Sequence, residues 1–299
     1  MTPVPVITGV VIPSGAGSGA PEPFFDWYAA SFPGVDADEF VGEFLAAHDM
    51  VSVSDYVGKT HGYERGIRLV CGEQVVASVL WGGNQDAPLN AWASGSRAPG
   101  FSEWARRFFP DHYLTRADSA IDLNRHGAWA ELQDLFFDLR QEHPKVQTSV
   151  VGDLFGGRKG VTYYMGSVKS EARMRFYQKG LQHPEACQPH HVRAEYMVKP
   201  KGMMRYAFAR APASALWSYS PLARSAFERL SGFDPGQALR DTPRRTDLER
   251  RFAAMVRQYG RTIEELLALL GSHDALGEAL SSGKLPDPLP NKSERHETT

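Results

Sequence analysis

The chain has 299 residues, 33 Lys and Arg against 35 Asp and Glu, a formal net charge of −2, and is 42% hydrophobic and 23% charged. That balance suits a globular protein of one large or two modest domains, with disorder expected only at the ends. Two cysteines, Cys71 and Cys187, cannot make a disulfide framework, and no run approaches the roughly 20 apolar residues of a membrane span.

The elements read in chain order as follows. Residues 1–23 are rich in Gly, Pro and Ser and read as a flexible arm. They lack the basic start of a signal peptide, so a reducing cytoplasm is the expected location. "FFDWYAASF" (24–32) predicts a strand, and "DADEFVGEFLAAH" (36–48), with its acidic start, a helix. "YERGIRLVCGEQVVASVLWGG" (63–83) predicts a hairpin turning at "CGEQ". A short helix over 100–109 takes Ser102 as its cap and ends at Pro110. A strand over 112–124 precedes a helix over 127–143. Further strands are expected at 146–151, 160–166, 172–179 and 191–199, with another through 203–210.

From Pro221 the pattern turns helical, and the tail after Gly283 reads as disordered. The expected organisation is therefore an arm (1–23), a main domain (24–220), a helical C-terminal region (221–283) and a tail (284–299). The fold class is α+β: a mostly antiparallel central sheet with helices packed on one face, plus a helical C-terminal segment.

The charge is uneven. Residues 155–210 hold 11 Lys and Arg against 3 Glu, a net +8, while the remainder holds 22 against 32, a net −10. A basic segment in an acidic protein suits a localised polyanion site. Alternation along a strand sharpens this, because residues two apart share a face. Residues 172–179 put Arg173, Arg175, Tyr177 and Lys179 on one face and Met174 and Phe176 on the other. Residues 115–124 put Arg116, Asp118 and Asp122 together, and 191–199 put His191, Arg193, Glu195 and Lys199 together. In one sheet, these faces would combine three carboxylates, several cations and a tyrosine. A wet sheet face carrying ordinary charges is the plain alternative.

Such a set has a definite chemistry. Carboxylates from separate strands can hold Mg²⁺ or Mn²⁺. Such an ion polarises a phosphodiester, and arginines grip its oxygens. A tyrosine hydroxyl, with a pKa of about 10, needs activation, and flanking cations are expected to favour its phenolate.

These stretches resemble the replication initiation factor family: rolling-circle initiators of plasmids and filamentous phages, with related relaxases of mobile elements. "RADSAIDL" (116–123) is similar to the family's Arg-x-Asp-x-Ala-x-Asp strand. "GVTYYMGSVKSEARMRFYQKGLQ" (160–182) is similar to its Gly-x-Thr-x-Tyr-x-Gly-Ser block with Arg-x-Tyr-x-Lys. "HVRAEYMVKPKG" (191–202) is similar to its Arg-x-Glu strand. The likeness covers residues 24–210. It implies a topoisomerase-like endonuclease that nicks one strand of origin DNA. A tyrosine stays on the 5′ end as a phosphotyrosine and the strand is later rejoined.

Carried over by position, Tyr177 is the nucleophile and Arg175 and Lys179 stabilise the phosphate. Asp118, Asp122 and Glu195 are the metal candidates, with Arg116 and Arg193 as DNA contacts or as partners of those acids. Arg173, Lys159, Ser167 and Lys169 would touch the DNA backbone. A host helicase and replication machinery are the implied partners, and an origin binder of this kind can act as a homodimer. The departures are Gln178 and Gln182, where the family often has acids, and the lack of a His-hydrophobic-His pair.

Tyr163, Tyr164 and Tyr196 are rival tyrosines that lack cations on their own face in this reading. His183, Cys187, His190 and His191 suggest zinc, but one cysteine in a loop with two prolines suits a turn. Trp81, Trp92 and Trp104 suit packing before base stacking. "SGAGSG" (14–19) lacks the Lys-Ser/Thr of a phosphate loop. The alternative from another class is a non-catalytic, sequence-specific DNA-binding regulator.

Overall fold

The computed structural model describes residues 21–83, 87–153, 160–236 and 247–285. The chain divides into two units, Met1–Asp241 and Thr242–Thr299. The first runs β1 (Phe24–Phe32), α1 (Ala37–Ala47), β2 (Val51–Asp55), β3 (Tyr63–Cys71), β4 (Gln74–Gly83) and β5 (Leu89–Ser94). It continues through α2 (Ala98–Phe108), β6 (Tyr113–Asn124), α3 (Ala128–Glu142), β7 (Thr148–Val151), β8 (Thr162–Met165), β9 (Ala172–Tyr177), α4 (Lys179–Gln182) and β10 (His191–Val198). It closes with α5 (Met204–Arg210), a 3₁₀ segment (Ala213–Tyr219) and α6 (Pro221–Ser231). The second unit holds α7 (Asp247–Leu270) and α8 (His273–Ser282), which touch each other.

The ten strands form one sheet in the order β2-β3-β4-β5-β1-β6-β10-β9-β8-β7, with every pairing antiparallel. The core lies between one face of this sheet and the helices. Phe32 meets Phe40 of α1 and Phe109 just after α2, and Trp104 of α2 packs on Phe40 and Phe44. Tyr163 of β8 stacks on Trp129 and packs on Phe136 of α3. Trp217 of the 3₁₀ segment is fully buried, and its Nε1–H donates to Ser119 Oγ of β6 at 2.8 Å. The α+β class with helices on one face is thus what the molecule adopts.

Several local expectations are corrected. Helix α2 begins at Ala98 with Pro99 in its first turn, so Ser102 lies inside it and donates to the Pro99 carbonyl at 2.7 Å instead of capping. Residues 203–210 are helical, not a strand. Their alternation of Arg, Ala and aromatic residues imitates a two-residue period. The boundary expected near 220 falls inside the first unit, because Ala223, Ala226 and Phe227 of α6 join its core. Strands β2 and β5 were not anticipated. Residues 1–20, with "SGAGSG", and residues 286–299, with most of the expected tail, lie outside the described residues.

Two glycines set the approach to the site. Gly166 turns β8 into β9 at φ +102°, and a Cβ there would stand 2.9 Å from the Ala172 carbonyl. At Gly180 in α4 a Cβ would collide with the Gln188 carbonyl, so only glycine lets α4 lie against the segment before β10.

Candidate nucleotidyl site on the open face of the sheet

The face of the sheet away from the helices carries the polar residues of β6, β9 and β10, and strand register decides which of them meet. Three cross-strand rungs result. Thr162, Tyr177, Arg193 and Asp122 form the first. Tyr164, Arg175, Glu195 and Ala120 form the second. Arg173, Met197, Asp118 and Trp27 form the third. Rungs follow one another at about 6.5 Å along a strand, and neighbours within a rung are about 5 Å apart.

The carboxylates that β1, β6 and β10 place here, Asp26, Asp118, Asp122 and Glu195, are ion-paired. Arg116 donates to Asp118 through Nε at 2.9 Å and Nη2 at 2.5 Å. Arg175 Nη2 donates to Glu195 Oε2 at 2.7 Å. Arg193 holds Asp122 with Nε and Nη2 and Asp26 with Nη1 at 2.5 Å. Lys179 Nζ donates to Asp122 Oδ2 at 3.3 Å, and His191 Nε2 lies 3.2 Å from the same oxygen. Asp118, Glu195 and Arg193 are 2%, 2% and 4% exposed and are hydrogen-bonded as buried charge must be, while their partners Arg116, Arg175, Asp26 and Asp122 stay partly exposed.

Tyr177 sits beside Glu195 and donates to its Oε2 at 3.4 Å, with the Arg175 guanidinium 4.9 Å from its ring. It is only 6% exposed. The sequence led us to expect a phenol made more acidic by cations. The structure reverses the sign. Burial, joined by the Glu195 charge, pushes the Tyr177 phenol well above its ordinary range, against the smaller pull of Arg193 and Arg175. Burial also pushes Glu195 up to about 7; Arg175 opposes this, while the nearby Asp118 charge reinforces it. For Asp122, burial pushes up, but the hydrogen bond and charge of Arg193, with Lys179 and His191, outweigh it and hold that carboxyl below its ordinary value.

The three expected metal ligands are not brought together. Asp118 and Glu195 both border an open cavity of about 140 Å³, together with Arg173, Arg175 and Tyr164. Asp122 is four residues from Asp118 along β6 and is engaged by Arg193, Lys179 and His191. Among the described residues, no three His, Cys, Asp or Glu side chains gather to hold a metal ion. The zinc-like histidines disperse in the same way: His190 stacks on His126 and His183 approaches Glu185.

Asp118 and Glu195 would be the carboxylates to hold Mg²⁺ or Mn²⁺, in exchange for their present arginine contacts. Such ions are commonly held by one or two carboxylates, with substrate phosphates and waters completing the shell. The mutual repulsion of Asp118 and Glu195 is what a cation would relieve.

Other residues fall as follows. Lys179 leaves the strand and opens α4, yet still reaches the first rung. Ser167 and Lys169 lie in the turn between β8 and β9, and Lys159 lies outside the described residues. Gln178 and Gln182 tie α4 to β8: Gln178 Oε1 accepts from Val161 N and Gln182 Nε2 donates to Thr162 Oγ1. Tyr163 and Tyr196 face the helices. Tyr164 does not lack cations. It faces Arg175 across the sheet, and the Arg173 guanidinium lies 3.9 Å from its ring centroid.

Trp104 is core and Trp81 packs partly against it. Trp92 is half-buried on the open face beside Trp27, ring centroids 6.4 Å apart, and Arg116 covers Trp27. Asp26 was missed by the sequence reading, although a lone acid in the apolar run "FFDWYAASF" was a usable signal. It lies at a register shift in β1, and Arg193 takes it as a second partner.

Neither the known family profiles nor the curated proteins contain a match to this chain. Among solved structures, it is similar to a rolling circle replication initiator protein from Geobacillus stearothermophilus. The identity is 17%, covering 77% of this chain and 91% of that one, with a TM-score of 0.48.

Proposed function

We propose that this protein nicks and rejoins single-stranded DNA at a replication origin through Tyr177, as a rolling-circle initiator. The observation that carries this reading is the first two rungs: a tyrosine, two arginines and a buried glutamate brought from β9 and β10 into one polar cluster. The sequence resemblance over 24–210 supports the choice of DNA as substrate.

In this reading the phosphodiester enters the open face beside Arg175, whose guanidinium supplies planar, paired donors to phosphate oxygens. The Tyr177 Oη proton already points to Glu195 Oε2 and leaves toward it. The phenolate oxygen then bonds to phosphorus as the bond to the 3′ oxygen breaks. The 3′ oxygen takes up a proton, and a 5′-phosphotyrosine remains. Lys179 and Arg193 hold positive charge at the first rung, where charge develops. A divalent cation, held by Asp118 and Glu195, would supply Lewis-acid polarisation of the phosphate.

The test is denaturing gel electrophoresis of the protein with Mn²⁺ and labelled single-stranded oligonucleotides from its own element's origin, beside Tyr177→Phe. The expected result is a protein–DNA adduct that survives denaturation and is absent from the variant. Cleavage retained by Tyr177→Phe removes Tyr177 from the mechanism.

One observation favours the second reading, a non-catalytic DNA-binding regulator. Asp118 and Glu195 each carry an arginine, and Asp26 and Asp122 share Arg193 with Lys179 beside Asp122, so DNA can approach this cluster without a metal. Salt-sensitive binding with no adduct at any origin sequence selects it.

A further inference from the structure

Arg173 differs from the other arginines that β6, β9 and β10 place on the open face. Arg116, Arg175 and Arg193 are each paired with a carboxylate. Arg173 has no carboxylate partner among the described residues. Its guanidinium rests on the Tyr164 ring, 3.9 Å from the centroid, and its Nε is buried without a hydrogen-bond partner. A buried, unpaired donor on a cation is costly, and the rest of the half-buried guanidinium borders the open cavity, where an anion can reach it. A guanidinium laid on an aromatic face keeps its in-plane N–H donors for a ligand and loses little freedom on binding.

Arg173 and Tyr164 both line the open cavity beside Asp118, and Asp118 is neutralised by Arg116, so an anion there meets no bare carboxylate. Lys169, exposed in the turn that joins β8 to β9, adds a second positive charge to the same hairpin.

We propose that Arg173, seated on Tyr164, is a subsite for a backbone phosphate of single-stranded DNA. It rests on the proposed function in one respect, that the open face receives single-stranded DNA. Arg173 is four residues from Tyr177 along β9, about 13 Å, so the phosphate it holds is not the one Tyr177 attacks. The subsite positions the strand and reads no base. Tyr164 acts through its ring, as a shelf, and not through its hydroxyl.

The experiment measures binding of a fluorescein-labelled oligo-dT to the full chain across a salt series, with the adduct assay run in parallel. Arg173→Gln is expected to flatten the slope of log K against log salt by about 0.7 and to weaken binding about fivefold at 0.1 M salt. Arg173→Lys keeps the slope, Tyr164→Phe changes neither slope nor affinity, and Tyr164→Ala weakens binding in the same direction as Arg173→Gln. Thermal unfolding midpoints matching the wild type's show that the variants are folded.

An unchanged slope in a folded Arg173→Gln overturns the subsite and leaves the nickase reading standing. A flattened slope in Arg173→Gln, with a wild-type protein that binds but forms no adduct, supports the subsite and removes the nickase. Loss of the adduct in Tyr164→Phe makes that hydroxyl chemical and overturns the shelf. Displacement of oligo-dT by inorganic phosphate at matched ionic strength makes this a free-anion site and overturns the proposal. Wild-type binding without salt dependence overturns both readings.

Discussion

Strand β9 shows the two sides of the molecule one residue apart. Met174 and Phe176 face the helices and are fully buried among apolar neighbours. Arg175 and Tyr177 face away and meet Glu195 of β10, while Arg173 on the same face lies on the Tyr164 ring of β8. Both sides contain buried groups, but for opposite reasons. The helix side excludes water by volume filling, so its residues are bound by size. The open side buries charge by pairing it rung by rung, so each residue is bound by its partner.

The largest expected effect is on the helix side. Trp217→Ala leaves a cavity and strips Ser119 of its donor, and should cost about 3–5 kcal/mol. Urea unfolding followed by far-ultraviolet circular dichroism checks it, and a loss under about 1 kcal/mol would break the comparison.

On the open side, Arg193→Ala takes from Asp26 and Asp122 the cation they share and leaves Asp122 only Lys179 and His191. Removing one partner of a buried pair costs about 3–5 kcal/mol, and the partial exposure of both acids places this variant at the lower end, about 3 kcal/mol. Adding Asp26→Asn to it should restore part of the stability, whereas a cavity mutant on the helix side would gain nothing from that change. A double-mutant cycle reads the coupling.

A third prediction probes the polar exception on the helix side. Buried His112 hydrogen-bonds the Phe109 carbonyl through Nδ1 at 2.6 Å and meets the Tyr28 hydroxyl at Nε2. Burial lowers its pKa from 6.5 to about 4. The unfolded chain therefore takes up a proton that the folded one refuses. Stability is complete above about pH 6.5 and falls as pH drops toward about 4, by up to about 3 kcal/mol. His112→Phe should flatten that part of the pH–stability profile, and an unchanged profile assigns the acid sensitivity elsewhere.

The smallest effect belongs to the surface. Arg229 of α6 reaches Glu142 and Asp138 of α3, but the partners are exposed and screened. Arg229→Ala should change stability by less than about 1 kcal/mol and leave oligo-dT binding unchanged in the same salt series.

Much of this was legible in the chain. The two-residue alternation of 115–124, 172–179 and 191–199 named the open-face residues of β6, β9 and β10, while Lys179 and Lys199, counted with them, lie beyond the ends of their strands. Met174, Phe176 and Tyr196 went to the helix side for the same reason. Strands β2 and β5 escaped because they are short and half polar, and α5 was misread because its small and aromatic residues alternate.

The site was legible in content and not in grouping. Asp118, Asp122 and Glu195 look equivalent in the sequence, and register separates them into three rungs. Tyr164 looked bare of cations because its partners, Arg173 and Arg175, come from the neighbouring strand.

The sequence by itself determined which side chains share a face, since that follows from backbone geometry within one strand. Only the tertiary structure decided which charges pair across strands, that Tyr177 is a buried phenol and not an acidified one, and that Arg173 is left without a carboxylate among the described residues. Those outcomes depend on register and on desolvation. Both arise when separate segments are packed side by side, and neither is carried by any one of them.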